Sequence, residues 1–352
     1  MTLTFDHATL GQRVLFGAGA AVANTVAAVA ALGAERVLLI ADAFAMELAE
    51  AVAARTPVVE RIHDIVQHVP AERADAATAL AGGCRADAII AIGGGSSTGL
   101  AKIVALRTGL PIVAVPTTFA GSEATSVWGL TTDQRKETGS DPRVLPASVV
   151  YDVTLSTGLP ARLAVSSGLN ALAHAVDSFW APRADPINRA MATEGMAALI
   201  PGLRGLAADS EDLEARERVL FGAYLTAVAF GSAGSAMHHK VCHVLGGAFD
   251  LPHAELHSIV LPYVAAFNMP AAPDAEARVS AALGGGPAAP GLWRLREDLG
   301  APRSLAEIGM READVALGAE LAFDAVPLSN PRPVRPDDLE RLIRAAWAGE
   351  PV

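Results

Sequence analysis

The sequence predicts an α/β domain built on a parallel sheet, followed by an all-helical domain. Two observations carry this. Through the first half, short β-branched runs alternate with Ala-rich stretches of helical length, the pattern of a parallel sheet covered on both faces. From Pro160 onward no run resembles a strand, and the text reads as helix broken by Gly and Pro.

The expected strands are Arg36–Ala41 (RVLLIA), Val58–Val66, Ala88–Ile92 (AIIAI), Pro111–Val115 (PIVAV) and Ser148–Tyr151 (SVVY). Helices are expected between them near Ala21–Leu32, Phe44–Arg55, Glu72–Gly82 and Ser97–Leu106. The domains are expected at 1–157 and 158–352, joined near Thr154–Pro160. The low-complexity segment Ala271–Gly291 reads as a short helix flanked by surface loops.

A chain of 352 residues, half of them hydrophobic, can bury a sizeable core in two domains. Its net charge of −11 argues against nucleic acid or an acidic membrane surface as the main partner. An acidic substrate then requires positive charge concentrated locally. Cys84 and Cys242 form neither a metal motif nor a disulfide framework, which fits a reducing cytoplasm. The first residues, MTLTFDHATLGQR, lack the basic start and apolar run of a signal peptide. The uncharged stretches Val14–Ala34 and Val219–His239 are long enough to span a bilayer. Both consist mainly of small residues, so they read as buried helix and no membrane partner is expected.

Gly93-Gly94-Gly95-Ser96-Ser97 follows the AIIAI strand and opens a helix. Glycines let a backbone approach a pyrophosphate, and free amides at a helix start favour an anion. Gly clusters also make ordinary turns, but a second loop strengthens the reading. The PIVAV strand runs into Pro116-Thr117-Thr118-Phe119-Ala120-Gly121-Ser122-Glu123-Ala124-Thr125. Small residues and hydroxyls at a strand's C-terminal end suit a nucleotide, so Thr117, Thr118, Ser122 and Thr125 join the expected cofactor contacts of a Rossmann-like domain. Asp42, ending the RVLLIA strand, has two equal readings: an acceptor for an adenosine ribose that repels a 2′-phosphate, or the cap of the following helix.

Five histidines, His238, His239, His243, His253 and His257, fall within twenty consecutive positions, and His174 lies upstream in NALAH. Asn170 with His174, His239 with His243, and His253 with His257 share the i,i+4 spacing that places side chains on one helix face. A lone buried histidine is an ordinary core residue; a cluster of this density points to chemistry.

With GGGS and PTT–GSE in the first domain and NALAH with HxxxH–LGG–PH in the second, the chain resembles the group III, iron-containing alcohol dehydrogenases. These share a two-domain, dehydroquinate synthase-like fold with glycerol dehydrogenase. The resemblance covers nearly the whole chain. It implies a divalent metal held by an aspartate, a histidine four residues on, and two later histidines fourteen apart. His174, His239 and His253 stand at the three histidine positions, while His243 matches a histidine near nicotinamide and substrate. Asn170 replaces the aspartate, removing the only anionic ligand. Gly99 stands where metal-dependent relatives usually carry Asp.

These departures, with HHKVCHVLGG, LPHAE, PTTFAGSEAT and TGSDPRVLP, resemble one branch of that family, the maleylacetate reductases. The branch implies a cytoplasmic homodimer that reduces a small dicarboxylate with NADH, NADPH being a second candidate, and without a metal. Asn170, His174, His239, Lys240 and Arg143 are then candidate substrate contacts, and Lys136 a candidate cofactor contact. Lys240 and Arg143 read equally well as solvated surface charges. His243 and His253 are the expected catalytic donors to a developing enolate. The main rival is a metal-dependent alcohol or polyol dehydrogenase tolerating Asn170. A lyase using bound NAD transiently would need more basic phosphate contacts, and a mere nucleotide binder would not need the histidine cluster.

Overall fold

The computed structural model describes residues 3–9, 11–66, 69–132 and 135–352; the side chains of Arg135 and Lys136 also lie outside the description. The chain divides into two compact units, Leu10–Leu159 and Met1–Thr9 with Pro160–Val352.

The first unit runs β1 (Arg13–Phe16), α1 (Ala21–Leu32), β2 (Val37–Ala41), α2 (Met46–Ala53), β3 (Val58–Ile62), α3 (Ala71–Gly83), β4 (Ala88–Gly93), α4 (Gly95–Thr108), β5 (Ile112–Pro116), β6 (Val127–Thr132), β7 (Arg135–Ser140) and β8 (Ser148–Tyr151). Six strands form one parallel sheet in the order β1-β8-β5-β4-β2-β3. Alternation along the strands sorts the core onto two faces. Leu38, Ile40, Ile89 and Ala91 pack with Ala74, Ala77, Leu100 and Val104 of α3 and α4. Leu39, Ile90 and Ile92 pack with Ala28, Val29, Ala49 and Val52 of α1 and α2. Each large apolar side chain so buried contributes roughly 1.5–3 kcal/mol.

From β2 the chain steps outward to β3, and from β4 it steps the other way to β5. The strand order therefore reverses between β2 and β4, where open α/β sheets bind ligands at their carboxyl ends. Asp152, at the end of β8, closes the opposite flank by accepting the amides of Gly19, Ala21 and Thr154. Its carboxylate so near the start of α1 also complements the helix dipole.

Four parts of this unit differ from expectation, the first being the strand from Val58, which ends at Ile62 rather than Val66. The uncharged stretch from Val14 begins within β1 and is therefore most of a strand followed by a helix. β6 and β7 form an antiparallel hairpin outside the main sheet. The helix expected from Phe44 opens with a single 3-10 turn, Ala43–Ala45, capped by Asp42.

The second unit is helical: α5 (Ala161–Ser178), α6 (Pro186–Ala208), α7 (Leu213–Ala233), α8 (Met237–Phe249), α9 (His253–Asn268), α10 (Pro273–Leu283), α11 (Ala288–Asp298), α12 (Val315–Phe323) and α13 (Pro336–Ala348). The low-complexity segment thus holds α10 and the start of α11. The small residues of α6 and α7 have a packing reason. A Cβ on Gly195 would stand 2.5 Å from Thr226 Cγ2, and one on Gly222 would stand 2.7 Å from the Gly195 carbonyl. The second uncharged stretch spans the end of α7 and the start of α8, which meet at 96°. No single described helix is long and apolar enough to cross a membrane.

Candidate active site

The α/β unit brings the expected cofactor loops together. Gly93 and Pro116 pair in register at the ends of β4 and β5, and the Thr117 amide donates to the Gly93 carbonyl at 3.1 Å. Gly93 has φ +140°, and a Cβ there would lie 2.3 Å from Asp42 Oδ2 and 2.5 Å from Ser97 Oγ. Only glycine fits. Gly94 N-caps α4 with no side-chain cap, leaving the first-turn amides for an anion. A Cβ on Gly94 would approach Thr118 Cγ2 to 3.2 Å, so the two loops lie one against the other. This glycine cradle beside an uncapped helix start fits a dinucleotide's pyrophosphate.

Asp42 turns out to do structural work on both of its oxygens. Oδ1 accepts the Phe44 amide at 3.1 Å, and Oδ2 accepts the Gly94 amide at 3.3 Å. The cap reading therefore holds, and each oxygen retains a lone pair for a ribose hydroxyl. Replacing Asp42 by Ala should weaken NADH more than NADPH and narrow their ratio by about tenfold, the worth of one charge-assisted hydrogen bond. Equal loss for both coenzymes, measured by fluorescence titration, would leave Asp42 with the cap alone.

The remaining candidates of this unit are less uniform. Thr117, Thr118 and Ser122 are half-buried, whereas Thr125 and Ser97 are buried. Arg143 is exposed and forms a bidentate pair with Asp141, its Nε donating at 3.0 Å and its Nη2 at 2.7 Å. That pairing holds the Asp141 carboxyl down at about 2. The Lys136 side chain lies outside the described residues.

In the helical unit, α5 carries Asn170 and His174, α8 carries His238, His239, Lys240 and His243, and α9 opens at His253 and carries His257. Their rings form one contiguous cluster. His174 stacks on His239 with centroids 4.9 Å apart, His239 lies 4.7 Å from His257, and His257 lies 4.3 Å from His253. His243 stands 5.9 Å from His253, in a stacked orientation. His238 and His257, fully buried, share a 3.0 Å Nε2···Nδ1 hydrogen bond. The outer pair differs from this core: His243 is half-buried and His253 exposed. Lys240 is half-buried on α8.

Asp177 organises the cluster. Its buried carboxylate accepts the amides of Ala236, His238 and His239, the Trp180 indole N–H, and His239 Nδ1 at 2.9 Å. It thus caps α8 from α5 and fixes the His239 tautomer, leaving Nε2 with its lone pair. Burial pushes the Asp177 carboxyl up to about 6, while the surrounding N–H donors favour its ionised form. Burial also pushes His174 down to about 4 and His238 to about 3, and lowers His239 and His257 well below the usual imidazole range. These four rings are neutral at pH 7.

Motif reading passed over Asp177, and it named His238 and His257 in the cluster without giving either a role. Asp177 had a signal, since Asn170, His174 and Asp177 follow the i, i+4, i+7 spacing of one helix face.

The donor set bears on a metal. Asn170 Oδ1, His174 Nδ1 and His239 Nε2 are buried polar atoms without a protein partner. Among the described residues, the histidine nitrogens within 4.8 Å of one another form two sets, His238/His239/His257 and His243/His253/His257. Neither set is the trio at the positions matching the iron site, and position 170 offers a neutral amide in place of a carboxylate. These residues do not fit the one-carboxylate, three-histidine site.

Both units match family models. Residues 11–153 match "Iron-containing alcohol dehydrogenase", and residues 164–347 match "Fe-containing alcohol dehydrogenase family, C-terminal". The chain belongs to the iron-containing alcohol dehydrogenase family. Among its relatives, a maleylacetate reductase of Pseudomonas sp. (strain P51) is 44% identical over 351 residues, covering 99% of each chain. An iron-containing alcohol dehydrogenase structure from Corynebacterium glutamicum superposes with a TM-score of 0.96 at 48% identity, covering 99% of this chain and 98% of that one. The maleylacetate reductase structure from Rhizobium sp. strain MTP-10005 superposes with a TM-score of 0.93 at 40% identity, covering 98% and 99%.

Proposed function

We propose that the chain reduces the conjugated double bond of maleylacetate to 3-oxoadipate, a step in the degradation of aromatic compounds, using a nicotinamide coenzyme and no metal. The observation that carries the reaction is full-length identity of 44% to a maleylacetate reductase. Support for the metal-free part is Asn170, a neutral amide where the family's metal site has its only carboxylate. The enzyme is an oxidoreductase, and NADH, when bound, supplies the hydride.

Hydride arriving at the carbon β to the ketone moves the π electrons onto the ketone oxygen as an enolate. A proton then adds to the α carbon and restores the ketone. The protein must donate to that oxygen, neutralise two carboxylates and deliver one proton. His243 and His253 are assigned to the enolate and the proton. Asn170, His174, His239, Lys240 and Arg143 are assigned to the substrate. His239 keeps its Nε2 lone pair, because its Nδ1–H donates a hydrogen bond to Asp177; it has no N–H left for a carboxylate and lines the site rather than neutralising the substrate.

NADH preference, Lys136 as a cofactor contact, a cytoplasmic location and a homodimer belong to the same reading. The last is in keeping with β1, an edge strand whose Val14 and Phe16 are exposed. The rival, a metal-dependent alcohol or polyol dehydrogenase, draws on the same unpartnered Asn170, His174 and His239 atoms. Oxidation of NADH with maleylacetate, run with and without prolonged chelation, separates the two. Turnover should survive chelation, with well under one metal per chain. Loss of turnover that zinc or iron restores would overturn the metal-free assignment.

A further inference from the structure

Lys102 lies on α4, seven residues beyond Gly95, and is fully buried. Its Nζ donates to the carbonyls of Ser122 at 2.6 Å, Thr125 at 2.8 Å and Val127 at 2.7 Å, and lies 3.1 Å from Thr125 Oγ1. An ammonium has three N–H bonds, and three short carbonyl contacts use all of them. The acceptors all belong to one segment, the end of the loop after β5 and the start of β6. The donor belongs to the helix whose first turn is the glycine loop. One cation therefore ties the two loops of the nucleotide cradle together.

We infer that Lys102 is a positioning residue for the coenzyme: its charge holds the Pro116–Thr125 loop in register with Gly93–Ser97. This rests on the nicotinamide-coenzyme reading. A neutral amine has only two N–H bonds, so deprotonation must release one carbonyl and loosen the loop. Burial brings the ammonium down to about 7, opposed by the Glu123 carboxyl. Glu123, buried on the 3-10 turn Ser122–Ala124, accepts from Tyr151 of β8 at 2.7 Å, and its own burial raises its pKa. The other elements packed on α4 bring no competing buried charge among the described residues. β2, β4, β5 and β6 carry no charged side chain. On α3, Glu72, Arg73 and Asp75 are exposed, the last paired with Arg107. Arg143, on the turn Pro142–Val144, is exposed and paired with Asp141.

The test is equilibrium titration with NADH alone, from about pH 6 to about pH 9, on the full chain. Wild type should bind about tenfold more weakly at the upper end, the effect of one lost charge-assisted hydrogen bond. Lys102→Met should bind weakly throughout and show no such titration, with kcat at saturating NADH changed far less than KM. A purely structural lysine would lower thermal stability and leave NADH affinity untouched, which overturns the proposal. So does a Lys102→Met profile that keeps the wild-type pH dependence. Should Lys102→Met not fold, the wild-type profile decides alone, and a flat profile overturns the proposal. Wild type that binds neither NADH nor NADPH at any pH removes the coenzyme reading, and this proposal with it.

Discussion

Lowering the pH from about 7 to about 5 should remove several kcal/mol of folding stability, before most carboxylates begin to titrate. His174, His238, His239 and His257 are neutral in the folded protein, with pKa values lowered by burial. In the unfolded chain they titrate near the ordinary value of 6.5. A group depressed on folding contributes stability above its unfolded pKa and loses it as the pH falls toward the folded one. At about pH 5, with folded values near 4 and 3, His174 and His238 should each cost roughly 2 kcal/mol, and His239 and His257 act in the same direction. Asp177 and Glu123 act in the opposite sense, because burial raises their carboxyls. Asp177, at about 6, returns roughly 1 kcal/mol at that pH and Glu123 acts in the same sense, so the four histidines win. The net loss, several kcal/mol, is a large fraction of the whole stability of many domains. Denaturant titrations at both pH values check this, and unchanged stability would mean that the cluster is hydrated and already titrates normally.

Most of the parallel sheet was legible because its central strands are continuous apolar runs, buried on both faces. β1 was not, since RVLF is an edge strand with little burial and no alternation. The β6–β7 hairpin was hidden for a related reason. VWGLTT and RKETGS look like polar loop, and only their mutual pairing makes them strands. The histidine cluster was visible from spacing alone, because three helices each present an i,i+4 face. Which rings form its buried centre was not visible, since His238 and His257 meet only once α8 and α9 have turned back on each other. Lys102 left no trace in the text at all. Its partners are backbone carbonyls twenty or more residues away, and carbonyls carry no sequence signature. Asp42 shows the opposite case, a residue whose two competing readings are compatible because a carboxylate has two oxygens.

Replacing His243 or His253 by Asn should lower kcat by about 10²–10³, while NADH affinity and thermal stability change little. Both residues stand outside the buried centre: His253 is exposed at the start of α9 and His243 half-buried on α8. Neither contributes a fully buried ring whose removal would open a cavity, so the usual route to large destabilisation is absent. A rate loss of that size corresponds to roughly 3–4 kcal/mol withdrawn from the transition state, the worth of one preorganised donor to a developing oxyanion. The contrast with the inner rings sharpens the test. His238→Asn should behave in the reverse way, breaking the His238–His257 hydrogen bond and showing itself first in unfolding. Rate and stability must therefore be measured on the same preparations. If His243→Asn keeps near-normal kcat, that residue is not a transition-state donor, and the same holds for His253→Asn. If both do, Lys240 becomes the next candidate, because the Nδ1–H of His239 is already engaged in its hydrogen bond to Asp177. Activity lost only in proportion to folded protein would return the outer pair to a structural role.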